Sequence, residues 1–427
     1  MKNCTPQKSA AVTALFKLTF LVIILTCSCR KVSIDLPATA FNEAPLSEQT
    51  DLSKATVFIC INGSSGFDTH GILYALNAET GAKRWEYDLH GFIFNTIPCI
   101  SDSAIYILSF SRGGGTNYLH AIDIATKQQK WKVAVSPGFS YGVNNTSSPC
   151  INGRLVYVAT YKTVYAFDKK NGRKEWETVI PGQDYLKQSS TIFYSSPTVV
   201  DGVLYIGSPA KPVANHLFAL DAKTGKIKWQ SSTASYLLLQ SSPCVSGNTA
   251  YIAMGDSLNA IDTKTGQLKW HFYLAYSINS SPALAGSEVY AWGSSFLGYY
   301  LYALDTATGI PKWAYKGPDN FTYPDPFIKE RIAYHAFGDG LHAIHAETGT
   351  TKWIAPIATR GLCSTGGVIY ATTSGSGTFN GLYAISRSDG HIRWKFSFGE
   401  EVIASSKPVI LIEPGRTIYP EASGMSQ

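Results

Sequence analysis

Residues 301–313 read LYALDTATGIPKW, and the same thirteen-residue pattern returns at seven other places in the 427-residue chain. The copies open at Leu73, Leu119, Val164, Leu217, Leu258, Leu301, Leu341 and Leu382. A tryptophan stands twelve residues after each opening, at Trp85, Trp131, Trp176, Trp229, Trp270, Trp313, Trp353 and Trp394. The third position is Ala in all eight copies, which marks a packed site with no room for a larger side chain.

Within a copy, the apolar alternation around Ala303 predicts a strand. Asp305 then opens a turn in which its carboxylate accepts backbone N–H groups, and Gly309 takes positive φ without a steric cost. Gly fills that place in every copy but one. The exception is Lys127, where a left-handed backbone costs about 1 kcal/mol unless the turn relaxes. The tryptophan ends a second strand as a large apolar plate. Recurring every 40 to 53 residues, the eight tryptophans read as structural docking pieces between successive copies rather than as eight active sites.

A second pair of strands lies between the tryptophan motifs, clearest as SSPCINGRLVYVAT at 147–160, SSPTVVDGVLYIGS at 195–208 and SSPCVSGNTAYIAM at 241–254. Asn152-Gly153, Asp201-Gly202 and Gly247-Asn248 mark its hairpin turn. Each repeat thus supplies four antiparallel strands: A with Ser-Ser-Pro, B with the Val-Tyr run, C with the Tyr-Ala-Leu run and D with the Trp. The fold class that follows is all-β, an eight-bladed β-propeller of four-stranded antiparallel blades.

Cys99, Cys150, Cys244 and Cys363 each stand seven residues before a B-strand tyrosine, and Thr198, Ala283 and Phe327 fill the same slot elsewhere. Copies of one slot in different blades are too far apart for a disulfide, so buried free thiols are expected rather than disulfides or a metal site. At the chain ends, 56–62 is a B-type strand lacking an A strand and 405–411 is an A-type strand lacking a successor; together they would close the ring. Residues 417–421 also resemble a B strand, so one candidate is surplus.

Charged residues make up only 15% of the chain, against 25 Tyr and 37 Gly, a balance of short strands and turns. The N-terminus has basic residues, an apolar run at 18–25 too short to span a bilayer, and then Thr26, Cys27, Ser28 and Cys29. It resembles a bacterial lipoprotein signal acylated at Cys29, with Cys27 the alternative acceptor and a plain secretory signal the alternative leader. The expected domains are a signal peptide at 1–28, a flexible tether at 29–53 and the propeller at 54–427. Removing the leader lowers the net charge from +6 to +3. No Lys/Arg run then remains to bind nucleic acid.

In such a blade the A–B and C–D turns share one face and the B–C and D–A connections the other. The first has short, near-identical turns. The second has long, dissimilar loops at 63–70, 112–117, 137–146, 182–194 and 316–325, where function is expected to concentrate. Its aromatics Phe139, Tyr141, Tyr185, Phe296, Tyr299, Tyr300, Phe321 and Tyr323 form a candidate interaction face for a peptide, sugar or protein edge, or else cover their own apolar floor. The histidines are scattered. His342 and His345 point to opposite faces of one strand, and His120 and His342 occupy a structural slot. Trp292 is a wedge between blades or a stacking platform at the channel mouth. Asp256, Asp325 and Asp339 lie in loops without calcium-loop spacing. No catalytic, cofactor-binding or metal residue is assigned.

The motif Ala-x-Asp-x-x-Thr-Gly-x-x-x-Trp, as in 303–313, resembles the tryptophan-docking motif of the pyrroloquinoline-quinone (PQQ)-like eight-bladed propellers, and the likeness covers 57–421. One branch, the quinoprotein dehydrogenases, uses the channel for quinone and calcium, commonly beside an adjacent Cys-Cys pair. This chain has no adjacent cysteines, so neither PQQ nor calcium is expected. The other branch is that of BamB-like lipoprotein propellers, which support assembly of outer-membrane β-barrels by binding the barrel-inserting machine. That resemblance implies a non-enzymatic scaffold, a monomeric propeller held to the outer membrane by a lipid anchor only, facing the periplasm, with an envelope protein as partner. The alternatives are a cell-envelope propeller that binds glycans or other surface ligands and, less favoured, a quinone-dependent dehydrogenase.

Overall fold

The computed structural model describes residues 50–62, 70–93, 96–101, 103–110, 116–137, 147–160, 163–181, 195–210, 214–234, 241–274, 280–295, 298–318, 325–373, 380–398, 403–404, 406–413 and 416–418. Residues 48–427 make one compact unit. Its described strands form eight antiparallel sheets, seven of four strands ordered A-B-C-D and one of six in which two further C-terminal strands join that order. Blade 6, for example, consists of Ala283–Ala285, Glu288–Ser295, Gly298–Asp305 and Pro311–Gly317. Numbered from the blade of Trp85 as blade 1, successive A strands lie side by side around the axis, and the D strands form the outer edges.

The conserved-looking pattern of each copy has a local cause. The Ala of strand C is fully buried in all eight blades. It faces the Trp of strand D, as in Ala303↔Trp313, and the ladder slips by one residue just after it. That bulge recurs in every blade and adds to the twist. In the turn, Asp305 Oδ1 accepts the N–H groups of Ala307 at 3.1 Å and Thr308 at 2.9 Å. Gly309 has φ +71°, and a Cβ there would lie 2.6 Å from the Trp270 ring of the preceding blade. Trp270 Nε1 and the Tyr251 hydroxyl both donate to the Thr306 carbonyl at 3.0 Å, fastening blade 5 to blade 6. The same bond runs from Trp394 to Ala78, from the last copy back to the first. Lys127 does adopt the left-handed conformation, with φ 62°; the turn has not relaxed.

The slot before the B-strand tyrosine is confirmed by pairing: Cys99↔Tyr106, Cys150↔Tyr157, Thr198↔Tyr205, Cys244↔Tyr251, Ala283↔Tyr290, Phe327↔Tyr334 and Cys363↔Tyr370. Cys60, Cys99, Cys150 and Cys363 are buried thiols rather than disulfide partners, whereas Cys244 is half-buried. Burial pushes the Cys150 thiol up to about 12.

The ring closes in blade 1, where the B strand Thr56–Asn62 pairs with C-terminal Val409–Glu413 through Phe58↔Val409 and Thr56↔Leu411. In place of one strand at 405–411, the C-terminal segment pairs in two pieces: Ile403–Ala404 against Asn62 and Ile61, then Val409–Glu413, and between them the Ser406 hydroxyl accepts the Cys60 N–H at 2.9 Å. The surplus segment is the C-terminal one. Arg416–Ile418 pairs on the other edge of Val409–Glu413, through Ile410↔Ile418. Three expected loops are also shorter than read, since Thr116 and Asn117 belong to strand C of blade 2, Pro137 to its strand D, and Lys316 and Gly317 to strand D of blade 6.

Candidate functional site

Of the aromatic candidates, Phe139, Tyr141, Tyr185, Phe296, Phe321 and Tyr323 lie outside the described residues, as does Cys29. Tyr299 and Tyr300 open strand C of blade 6 at the loop face, and both are half-buried. Pairing of B with C continues to Ser295↔Gly298, so this hairpin carries two more residues per strand toward the loop face than those of blades 3 and 5. Tyr299 stacks on Trp292 at 5.7 Å and 15°, and Tyr300 stacks on Tyr302 at 5.8 Å. Trp292 is 2% exposed and lies 6.5 Å from His335 of blade 7, so it is a wedge and not an open platform.

A belt of hydrogen bonds joins the starts of successive A strands through the residue two before the A-strand slot. In blades 2 to 7 that position holds Ile97, Ser148, Ser196, Ser242, Ser281 and Asp325. Each backbone N–H donates to the side chain of the next: Ile97 to Ser148 Oγ at 2.8 Å, Ser148 to Ser196 Oγ at 2.9 Å, Ser196 to Ser242 Oγ at 2.8 Å and Ser242 to Ser281 Oγ at 3.0 Å. Ser281 N–H then donates to Asp325 Oδ1, and the other Asp325 oxygen takes the ammonium of Lys407, which occupies the same position in blade 1. Lys407 reaches past blade 8, where the position is Gly361. A Cβ on Gly361 would lie 2.5 Å from Lys407 Cγ, so only glycine lets the side chain pass. The belt satisfies buried polar groups at the start of the A strands, where the ladder does not reach.

Several polar groups elsewhere are engaged internally. His342 bonds Tyr315 through Nδ1 and Asp339 through Nε2, both at 2.7 Å, while His345 is exposed, as their spacing on the strand requires. His120 Nε2 bonds Ser109 Oγ at 2.7 Å, and both residues are buried. Burial, with Lys132 nearby, lowers His120 to about 3, and burial lowers His335 to about 3; both are neutral near pH 7. Asp256 bonds Ser257. A grouping invisible to sequence spacing does appear at the loop face of blade 1, where His70, Asp88 and His90 converge.

A quinone–calcium pair, which the PQQ-like resemblance would put in the channel, does not suit the belt. Its one carboxylate, Asp325, is neutralised by Lys407, and the serine oxygens in it already accept N–H groups. The Ser-Ser-Pro repeat was the available signal for this belt, and the substitutions Asp325 and Lys407 at the repeated position were its clue.

Comparison with known proteins agrees with the geometry. The family model for the outer membrane protein assembly factor BamB matches residues 43–211, 185–272, 213–362 and 338–424. A tetrathionate hydrolase of Acidithiobacillus ferrooxidans is 28% identical over 38% of this chain and 32% of its own length. BamB of Yersinia pestis is 26% identical over 44% of this chain and 49% of its own. The chain thus spans less than half the length of these curated relatives. The crystal structure of BamB from Moraxella catarrhalis superposes with TM-score 0.53 and 18% identity, covering 73% of this chain and 92% of that one, which is a likeness of fold. Its relatives include an enzyme as well as assembly factors, but four overlapping matches spanning nearly all eight blades show that the chain belongs to the BamB family of PQQ-like repeat propellers.

Proposed function

We propose that this protein is a non-enzymatic scaffold of the bacterial cell envelope, anchored by acylated Cys29 and holding a protein partner on its loop face, in support of outer-membrane protein assembly. The observation that carries this reading is the BamB family match from residue 43 to 424. The lipoprotein-like leader ahead of it supports an outer-membrane anchor facing the periplasm. The aromatic loops supply the docking surface, and strand addition at a blade edge is a second available mode. The self-satisfied belt at the starts of the A strands supports action without quinone or calcium.

The test is affinity purification of the full-length lipidated protein from solubilised membranes after mild cross-linking, with Cys29→Ala as one control and Tyr185→Ala/Tyr323→Ala as another. Recovery of a barrel-assembly protein that disappears in both controls is the expected result. Recovery of none overturns the proposal. Thermal protection of the purified protein by an envelope glycan would then favour the ligand-binding alternative.

A further inference from the structure

We propose that His70, Asp88 and His90 form a binding site for one divalent transition-metal ion at the loop-face end of blade 1. The inference is independent of the partner-binding reading. Strand C of this blade is Gly71–Asn77 and strand D is Lys83–Asp88, paired through Ile72↔Asp88. Pairing runs on past the strand ends: Gly71 accepts the Leu89 N–H at 2.9 Å and donates to the Gly91 carbonyl at 2.6 Å. His90 lies between these two bonds as a bulged residue with φ 47°. Bulges of this kind re-aim a side chain. Here the bulge turns the imidazole back toward Asp88, whose Oδ1 also receives the His90 N–H at 2.7 Å.

The donor atoms are spaced for an ion. His70 Nδ1 is 3.7 Å and His90 Nδ1 is 3.4 Å from Asp88 Oδ1, and one ligand atom from each of the three lies within 4.8 Å of the others. Donors bound tetrahedrally at about 2.1 Å from a metal are about 3.4 Å apart. Closing the three onto an ion therefore takes side-chain shifts of about an ångström, within rotamer play. The side chains are 50%, 42% and 75% exposed in chain order, which leaves the solvent side open to a water or an external ligand. Among the described residues no other group of three His, Cys, Asp or Glu converges in this way.

The repeat supplies an internal comparison. Relative to the motif, His70 precedes the opening residue by three, Asp88 follows the Trp by three and His90 follows it by five. In the other seven copies these positions hold no His, Asp, Glu or Cys; blade 6, for instance, has Gly298, Lys316 and Pro318. The repeated scaffold needs none of the three, so their joint appearance in one blade is not required by the fold. Two imidazoles and a carboxylate select borderline ions such as Zn²⁺, whereas Ca²⁺ takes six to eight oxygens. Bound there, an ion would tie the start of strand C to the end of strand D in the blade that joins the chain termini.

The test is isothermal titration of the full-length protein, freed of metal by chelation and carrying no histidine tag, with Zn²⁺ and in parallel with Ca²⁺. The expected result is one Zn²⁺ per chain and no Ca²⁺ binding. Affinity should fall on the order of tenfold or more in His70→Ala and in His90→Gly, and stay unchanged in His271→Ala. His90→Gly removes a ligand while suiting the left-handed backbone, so it separates loss of the site from loss of the fold. Co²⁺ substitution should give visible ligand-field absorption that both site variants abolish. Absence of Zn²⁺ binding, or binding that persists in the double variant His70→Ala/His90→Gly, overturns the proposal.

Discussion

Replacing Lys407 by Met should loosen blade 1 specifically. The Met side chain keeps an apolar stem over Gly361 but withdraws the ammonium from Asp325, whose side chain is only 15% exposed. Asp325 would retain the Ser281 N–H and lose its counter-charge. Breaking a fully buried pair costs about 3–5 kcal/mol, and this pair is partly wetted, so we expect about 2–4 kcal/mol. Because Lys407 lies just ahead of Val409–Glu413, the strand that completes blade 1, the loss should appear as local opening. Amide hydrogen exchange across Thr56–Asn62 and Val409–Glu413 should rise roughly 30- to 700-fold, at tenfold for each 1.4 kcal/mol, while blades 3 to 5 exchange at their former rates. The neutral double variant Lys407→Met/Asp325→Asn should recover most of the loss, since no buried charge is then left alone. Equal acceleration in all blades, or strict additivity of the two single variants, would refute the argument that this pair locks the closure.

Gly309→Ala should cost about 2–4 kcal/mol in urea unfolding, combining left-handed strain with a Cβ driven into Trp270; Lys127→Gly should gain up to about 1 kcal/mol. His120 and His335 have folded pKa values depressed from 6.5 to about 3, so the stability they contribute is present above pH 6.5 and is lost as pH falls toward 3. The slope is about 1.4 kcal/mol per pH unit for each, and His335→Leu should flatten half of it while stabilising the protein at pH 5, since neither ring nitrogen of His335 has a protein partner. Asp123 and Asp262, held near 2 chiefly by the N–H groups of Thr126 and Thr265, add a further loss between pH 4 and 2. Peptide-resolved alkylation of the native protein should modify Cys244 before Cys150, and neither fast, until denaturant is added; prompt labelling of Cys150 would contradict its burial.

The propeller was legible because its determinants are local and repeated. Ala303, Asp305, Gly309 and Trp313 lie within one short segment, and each serves contacts that recur in every blade. The slot holding Cys150 or Thr198 was equally readable, since strand pairing is set by a turn of fixed length. Closure was half legible: 56–62 was recognised as a B strand, but nothing in residues 416–418 distinguishes a strand that pairs at the channel edge from one that starts a blade. The interaction face was placed by topology alone, and only Tyr299 and Tyr300 of its members lie among the described residues. His70 and His90 stand twenty positions apart with no motif between them. Only the register of Gly71 against Leu89 and Gly91 brings them to one carboxylate, and register at a bulge is a property of three-dimensional pairing rather than of spacing.

Because blade 1 takes its A strand from residues 409–413 and its other strands from 56–88, the ring cannot be completed until residue 413 has been synthesised. Until then Thr56–Asn62, whose residues are buried throughout in the finished ring, offers a bare edge that any extended apolar segment could occupy. A product truncated before residue 409 would keep that edge open permanently. Two slowly closing chains that both carry Val409–Glu413 could satisfy each other by exchanging these strands, giving a swapped dimer whose blades are native in every bond but belong to two molecules.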